Sequence, residues 1–135
     1  MYKVMMSTST GLDEYDIGQL EKGCWIDVIA PTEEELDQIA QATHIYKEYL
    51  TAPLDKEEKS RTELDEDQLL VVIDIPFLRS NKDYDTMPLG IIITPEVIVT
   101  VCLESNAVTA DFNAHTFRNF CTYKKTRFLF QILYK

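Results

Sequence analysis

The sequence contains no hydrophobic stretch long enough to cross a membrane. Its longest uninterrupted aliphatic run covers residues 69–73 (LLVVI), whereas a membrane-spanning helix needs about 20 apolar residues. Basic residues are also scarce, since 13 Lys and Arg stand against 23 Asp and Glu and give a net charge of −10. Proteins that bind nucleic acid need surplus positive charge to neutralise phosphates. The composition therefore excludes a spanning helix within these residues and argues against a nucleic-acid partner.

Glycine and cysteine are scarce as well, which removes the common enzyme motifs. The four glycines form neither a Gly-rich phosphate loop nor a G-x-S-x-G turn. The three cysteines (Cys24, Cys102 and Cys121) cannot all pair within one chain and lie among apolar neighbours. This favours a reducing compartment in which the thiols are small buried hydrophobes. Together with His44 and His115 they show no zinc-ligand spacing. The sequence therefore predicts no enzyme activity.

The charge is distributed unevenly along the 135 residues. Residues 1–111 hold all 23 acidic side chains and 8 basic ones, which gives this part a formal charge of −15. The last 24 residues hold five basic side chains and no acidic one. The length predicts one domain, and the asymmetry indicates two parts of that chain with different neighbours.

A helix start at Thr32 is the clearest local signal. Thr32 and Glu35 have the spacing of a capping box, in which each side chain accepts a hydrogen bond from the other residue's backbone. We expect this helix to end near His44 and a second short helix to cover residues 46–54. Apolar residues follow the start at helical spacing: Leu36, Ile39, Ala40 and Thr43.

Four apolar segments predict β-strands. Residues 24–29 read as a mostly buried strand. Residues 69–77 are apolar on both faces, which predicts a central strand covered by helices. Residues 89–94 and 97–103, joined by a Pro-Glu turn, predict a hairpin. Polar segments predict loops over residues 7–22 and 79–87.

The C-terminal segment is helical by composition, in two pieces at residues 114–122 and 126–134. The second piece places its apolar side chains on one face and its basic ones around them. A helix of this length is marginal alone in water, and no capping residue follows it. We therefore expect the sequence to be part of a longer protein.

Residues 55–67 contain the densest acidic run, with seven carboxylates against Lys56, Lys59 and Arg61. The usual interpretation of such a run is a solvated connector. A second interpretation is a weak magnesium site, since two carboxylates about 4 Å apart repel by about 4 kcal/mol at an effective dielectric of 20. A divalent cation removes that repulsion, and oxygen ligands suit Mg²⁺. The candidate ligands are Asp55, Glu57, Glu58 and Asp65.

Five motifs follow one another along the chain. Residues 23–28 read GCWIDV and are followed by Pro31-Thr32 and Glu35-Leu36, and residues 54–63 read LDKEEKSRTE. The others are residues 69–76 (LLVVIDIP), 90–96 (GIIITPE) with 99–101 (VTV), and 125–134 (KTRFLFQILY). In this order the motifs resemble the CorA-like magnesium transporter family, and the second resembles its Gram-positive-type branch. The similarity spans nearly the whole chain.

This resemblance implies an α/β/α sandwich around a central mixed β-sheet, continuing into the start of a stalk helix. Residues 1–122 would form a cytosolic α/β domain and residues 123–135 the start of the truncated stalk helix. In the family, a long stalk and two membrane helices follow, and the protein is a pentamer. The full-length protein would therefore be an integral membrane protein with this part on the cytoplasmic side. We expect the fragment alone to be soluble and a monomer or weak oligomer.

The function that the resemblance implies is regulation of divalent metal ion (Mg²⁺) transport, not conduction. Divalent cations held between neighbouring cytosolic domains would favour the closed state, which is a population shift. The family's ligand aspartate falls at Ala52 here, so Mg²⁺ would have to use acids such as Asp55 and Glu58. Asp27, Arg61 and Glu63 match family positions and are interpreted as fold determinants. Folding itself should require no cofactor.

A second hypothesis is a free-standing soluble α/β ligand-binding or interaction module. The two hypotheses differ in what the gene encodes beyond residue 135. Two apolar segments of about 20 residues support the transporter, and their absence supports the module.

Overall fold

The computed structural model describes residues 1–78, 84–113 and 116–134. The strands are β1 (Tyr2–Ser7), β2 (Leu12–Tyr15), β3 (Cys24–Ile29), β4 (Arg61–Asp65), β5 (Gln68–Leu78), β6 (Tyr84–Ile93) and β7 (Val97–Cys102). The α-helices are α1 (Glu33–Thr43), α2 (Lys47–Thr51), α3 (Ala107–Ala110) and α4 (Lys125–Leu133).

The seven strands form one mixed sheet in the order β2-β1-β3-β7-β6-β5-β4. Strands β3 and β7 are parallel, and their register places Trp25 beside Ile98 and Asp27 beside Thr100. The other neighbouring pairs are antiparallel. A parallel pair needs a long crossover connection. Here that connection, between β3 and β7, contains α1, α2 and strands β4 to β6. The parallel pair lies in the middle of the sheet.

Both faces of the sheet are covered, which confirms the predicted α/β/α class. On one face, Ile26 of β3 belongs to the same buried cluster as Leu36 and Ile39 of α1. On the opposite face, Trp25 of β3 is in a second buried cluster with Phe128 of α4. Successive strand residues point to opposite faces, so β3 contributes to both cores. Helices α1 and α2 form one outer layer, and α4 belongs to the other.

Helix α1 begins as the capping signal predicts. The Thr32 side chain accepts a hydrogen bond from the Glu35 backbone N–H at 3.2 Å, and the Glu35 carboxylate accepts one from the Thr32 N–H at 2.9 Å. The N-terminal amine of Met1 also pairs with Glu35 at 2.8 Å. The helix ends where His44 adopts a left-handed conformation with φ of 60°. These contacts fix α1 against the start of β1.

Strand β5 is an interior strand that contributes to both cores, as predicted for residues 69–77, whereas the middle strand of the sheet is β7. All six residues of β7 are buried, whereas β5 lies second from the edge. Asp74 and Pro76 of β5 are exposed. A run of apolar residues shows that both faces of a strand are covered, but it does not show how many strands lie beyond it.

Two edge strands lie in segments where the sequence predicts a loop and a connector. Strand β2 lies within residues 7–22, and β4 lies within the acidic run. All five residues of β4 are exposed, so the strand has no buried face to produce an alternating pattern. Its pairing with β5 depends on backbone hydrogen bonds. Charged side chains on an exposed edge are typical, because they discourage aggregation. The predicted loop at 79–87 is also shorter, since β6 begins at Tyr84, and residues 79–83 lie outside the described residues.

The predicted helix at residues 114–122 is replaced, in its described part, by a single 3-10 turn at Phe117–Asn119. Residues 114 and 115 lie outside the described residues. Phe120 then returns to extended backbone. Two residues later, Thr122 forms two hydrogen bonds of 2.9 Å with Ser7 at the end of β1, in each of which a backbone N–H donates to the other residue's hydroxyl. The next predicted helix, residues 126–134, is confirmed as α4.

Gly90 has no room for a side chain. A Cβ at this position would lie 2.5 Å from Cγ and 2.9 Å from Cβ of Pro53. Since overpacking of this kind costs about 1–3 kcal/mol, we expect Gly90→Ala to lower the free energy of unfolding by that amount. Gly18→Ala is the matched control, because no atom lies within 4 Å of its Cβ position. Urea unfolding measures both, and equal midpoints for the two variants would contradict this packing.

Candidate functional site

The acidic candidates lie between the end of α2 and the end of β4: Asp55, Glu57, Glu58 and Asp65. The Asp55 carboxylate accepts a hydrogen bond from the Glu57 backbone N–H at 3.0 Å. Arg61 forms an ion pair with Glu58 at 2.9 Å and a second one with Glu63. These two carboxylates raise the pKa of Arg61. Arg61 thus neutralises part of the acidic segment, as expected from its position in the sequence.

Within the described part of the chain, no three His, Cys, Asp or Glu side chains are placed to hold a metal ion together. Asp65 is the strand-register partner of Gln68 at the turn into β5, and the Glu58 carboxylate already forms an ion pair with Arg61. A magnesium site built from Asp55, Glu57, Glu58 and Asp65 therefore stays a prediction. Ala52 begins the 3-10 turn after α2 and packs against the core. Because alanine has no side-chain oxygen, this position cannot contribute a side-chain ligand.

An aromatic cluster attaches α4 to the sheet. The rings of Trp25 and Phe128 meet edge to face with centroids 5.1 Å apart, and both side chains are fully buried. Phe112 and Phe120 each contact the Trp25 ring at 6.3 Å. Each such ring pair contributes about 0.5–1.5 kcal/mol beyond the burial of its area. Trp25 is thus a core residue of the strand that the sequence predicts to be mostly buried, and α4 is held by the middle of the sheet.

A chain of polar groups, buried at Trp25 and Thr100 and partly exposed at Asp27, runs beside this cluster. The Trp25 indole N–H donates a hydrogen bond to the Thr100 hydroxyl at 2.9 Å, and that hydroxyl donates one to the Asp27 carboxylate at 3.0 Å. Burial raises the pKa of Asp27 to about 6, while the hydrogen bond from Thr100 and the charge of Lys3 act in the opposite direction. Parallel pairing of β3 with β7 brings these groups together.

The outer side of α4 remains open. Phe130 and Tyr134 are 54% and 89% exposed, although Phe128 and Ile132 of the same helix are buried. A groove of about 870 Å³ lies beside them and is also lined by Arg127. The helix thus has a face fixed to the core and a face that combines aromatic and basic side chains.

The cysteines and histidines do not form a reactive site in the described residues. Cys24, Cys102 and Cys121 are free thiols, and the first two are buried. Burial raises the pKa of both Cys24 and Cys102, which keeps them protonated. His44 is the C-cap of α1, as predicted, and His115 lies outside the described residues.

The partnership of Asp27 with Thr100 was not predicted from the sequence. Asp27 was interpreted only as a fold determinant, because strand neighbours 73 residues apart cannot be identified from one sequence. A weak signal was present, since Asp27 is the charged residue of an otherwise apolar strand. Buried carboxylates normally have hydrogen-bond donors, so a partner on a neighbouring strand could have been anticipated, though not named.

Solved structures with this architecture define the class of protein. The soluble domain of CorA from Methanocaldococcus jannaschii matches 98% of this chain with a TM-score of 0.73 and 22% identity. The complete CorA magnesium transporter from the same organism matches 88% with a TM-score of 0.73 and 23% identity. The ZntB cytoplasmic domain from Vibrio parahaemolyticus matches 87% with a TM-score of 0.65 and 9% identity. The fold is therefore that of the CorA soluble domain.

The chain belongs to the family of CorA-like Mg²⁺ transporter proteins, because the sequence pattern of that family matches residues 21–135. The family prediction is confirmed, and the Gram-positive-type branch stays a prediction. The chain spans 37% of the complete CorA and 55% of its soluble domain. A search of curated proteins gave no match. None of the described helices has the length and apolar character needed to cross a membrane.

Proposed function

We propose that this chain is the cytosolic regulatory domain of a divalent-cation transporter that carries Mg²⁺. The observation that supports this most strongly is the match of the CorA-like family pattern to residues 21–135. The family is one of transporters, so the proposal includes no enzyme activity. The membrane part, including the ion pathway, would lie outside the 135 residues, on the C-terminal side of α4.

The attachment of α4 supports a regulatory role. Phe128 and Ile132 fix one side of this helix in the core, so the helix follows any movement of the sheet. Its open side exposes Leu133 and Tyr134, which are available to the rest of the protein. A helix held in this way transmits a change in the domain as a change in its own position. Residues 123–135 would then be the start of the stalk.

The acidic segment is the proposed site of regulation by cations. Asp55, Glu57, Glu58 and Asp65 would contribute oxygen ligands to Mg²⁺ ions shared with a neighbouring copy in a homo-pentamer. Bound ions would remove repulsion between the acidic surfaces and favour the closed state by their higher affinity for it. The isolated 135-residue chain would be a monomer or a weak oligomer, because the stalk contributes much of the assembly surface.

The test is magnesium uptake by the full-length gene product in liposomes that contain a magnesium-sensitive dye. We expect uptake that becomes slower as Mg²⁺ is raised on the side of this domain, since the bound ions favour closure. Unchanged uptake at every such concentration would contradict regulation. A gene product that transports no divalent cation would contradict the whole proposal.

Two sets of charge-removing variants locate the regulatory site in the same assay. Asp55→Asn, Glu57→Gln, Glu58→Gln and Asp65→Asn together should raise the Mg²⁺ concentration needed for inhibition. The matched control removes four exposed acids near the opposite edge of the sheet, with Asp13→Asn, Glu14→Gln, Asp16→Asn and Glu21→Gln. The two sets change the net charge equally, so an equal effect would show that only overall charge matters.

The groove beside α4 favours a second candidate function, a free-standing ligand-binding or interaction module. Its size, about 870 Å³, lies within the range of small-molecule sites. This candidate would gain support if the gene encoded no apolar segments after residue 135.

A further inference from the structure

Asp27 is a carboxylate in the middle of the sheet, which is an unusual position for a charge. It lies on β3, between β1 and β7, with Lys3 as its register partner on one side and Thr100 on the other. The hydrogen bond from the Thr100 hydroxyl is 3.0 Å long. Ionised carboxylates are rarely buried unless they are paired. Asp27 therefore lies where its charged and neutral forms differ strongly in solvation.

A small cavity gives Asp27 a route to solvent. Its volume is about 220 Å³, and Asp27 lines it together with Met1, Lys3 and Ser105. Because a cavity of this size can hold water molecules, a proton can reach the carboxylate without opening of the sheet. Asp27 is thus both shielded by its neighbours and accessible to protons.

The ionisable groups around Asp27 come from two neighbouring strands and the chain terminus. Lys3 on β1 stabilises the ionised carboxylate. Cys102 on β7 feels the charge of Asp27, and burial raises the pKa of its thiol. The N-terminal amine is held by Glu35 at 2.8 Å. Burial moves the pKa of Asp27 to about 6, against the opposing effects of Thr100 and Lys3.

We propose that Asp27 is a proton-binding site of this domain, and that Thr100 and Trp25 transmit its protonation state to the packing of α4. The proposal goes beyond the transport role and does not depend on it. When Asp27 is ionised, the bonds from indole to hydroxyl and from hydroxyl to carboxylate point the same way and strengthen each other. Uptake of one proton by the carboxylate removes the charge at the end of this chain and weakens the indole bond.

The link to α4 follows from the position of the indole ring. Trp25 is fully buried and contacts the Phe128 ring of α4 edge to face at 5.1 Å. A change in the hydrogen bond at one edge of the indole alters the position of a ring that Phe128 contacts. Two hydrogen bonds and one ring contact therefore connect the Asp27 carboxylate to α4.

A pH titration of the Trp25 indole N–H resonance tests the proposal. The sequence contains one tryptophan, so the signal of the 135-residue chain needs no assignment. We expect an upfield shift on acidification with a midpoint near pH 6, as the hydrogen bond weakens. The Phe128 ring resonances should move with the same midpoint. An indole resonance that stays constant between about pH 5 and pH 7.5 would overturn the proposal, and constant Phe128 resonances would overturn the link to α4.

Four variants separate this site from other titrating groups. Asp27→Asn should remove the transition, and Thr100→Val should remove it while Asp27 remains present. Lys3→Gln should move the midpoint to higher pH, because it removes a charge that favours the ionised form. His44→Gln should leave the transition unchanged. A transition that persists in Asp27→Asn, or a midpoint that Lys3→Gln does not raise, would contradict the assignment to Asp27.

Discussion

Replacing Phe128 by alanine is expected to lower the free energy of unfolding of the 135-residue chain by about 3–5 kcal/mol, the usual range for a buried phenylalanine. Phe128 has no exposed surface. Its ring contacts Trp25 and Phe112 edge to face at 5.1 and 5.0 Å and stacks on Phe120 at 5.4 Å. The substitution leaves a cavity between α4 and the sheet, which the three remaining rings cannot fill without leaving their positions.

Phe130→Ala is the matched control for this prediction. The residue lies on the same helix two positions away and is 54% exposed, so its removal should change the free energy of unfolding by less than about 1 kcal/mol. Urea unfolding, monitored by fluorescence of Trp25, measures both variants. Equal destabilisation by the two substitutions would show that α4 does not pack on the sheet as described.

Replacing Asp27 by asparagine is expected to stabilise the chain above pH 6. The pKa of Asp27 is raised from 3.8 to about 6, mainly because burial disfavours the ionised form. Below about pH 4 the carboxyl is protonated in both the folded and the unfolded state, so its contribution is zero. As the pH rises from about 4 to 6, only the unfolded state ionises freely, and folding becomes less favourable by about 1.4 kcal/mol per unit.

Above pH 6 the ionised carboxylate lowers the free energy of unfolding by about 3 kcal/mol. Asparagine should remove this destabilisation, because it carries no charge and can still accept the hydrogen bond from Thr100. Unfolding in urea at pH 5 and pH 7.5 tests this, since the stability difference between variant and parent should grow with pH. Asp74→Asn, at an exposed position of β5, is the control. A difference that is the same at both pH values would contradict the raised pKa.

Features that depend on neighbouring residues in the chain could be predicted from the sequence. The capping box at Thr32, the hairpin of β6 and β7, and the amphipathic α4 each rest on spacings within about ten residues. Features that depend on strand pairing could not be predicted in this way. Strand β4 has no buried residue and forms because β5 offers it backbone partners. The central position of β7 depends on its parallel pairing with β3.

The same distinction applies to the candidate site, where contacts between residues close in the chain could be predicted and contacts between strands could not. Glu58 and Glu63 each lie within three residues of Arg61, so this charge compensation could be predicted from the sequence. The chain from Trp25 through Thr100 to Asp27 joins residues about 75 positions apart, and only the pairing of two strands reveals it. Whether the acidic segment gains ligands from a neighbouring copy likewise depends on groups outside one chain.

In the proposed function, this domain regulates transport through the attachment of α4. Magnesium uptake by the full-length protein in liposomes tests it most directly when Phe128→Leu is compared with Phe130→Leu. Phe128→Leu keeps an apolar side chain but removes the ring contacts with Trp25. We expect the Phe128→Leu protein to take up Mg²⁺ but to require more Mg²⁺ on the side of this domain for inhibition, whereas the Phe130→Leu protein should behave as the parent. Identical inhibition curves for both variants and the parent would contradict it.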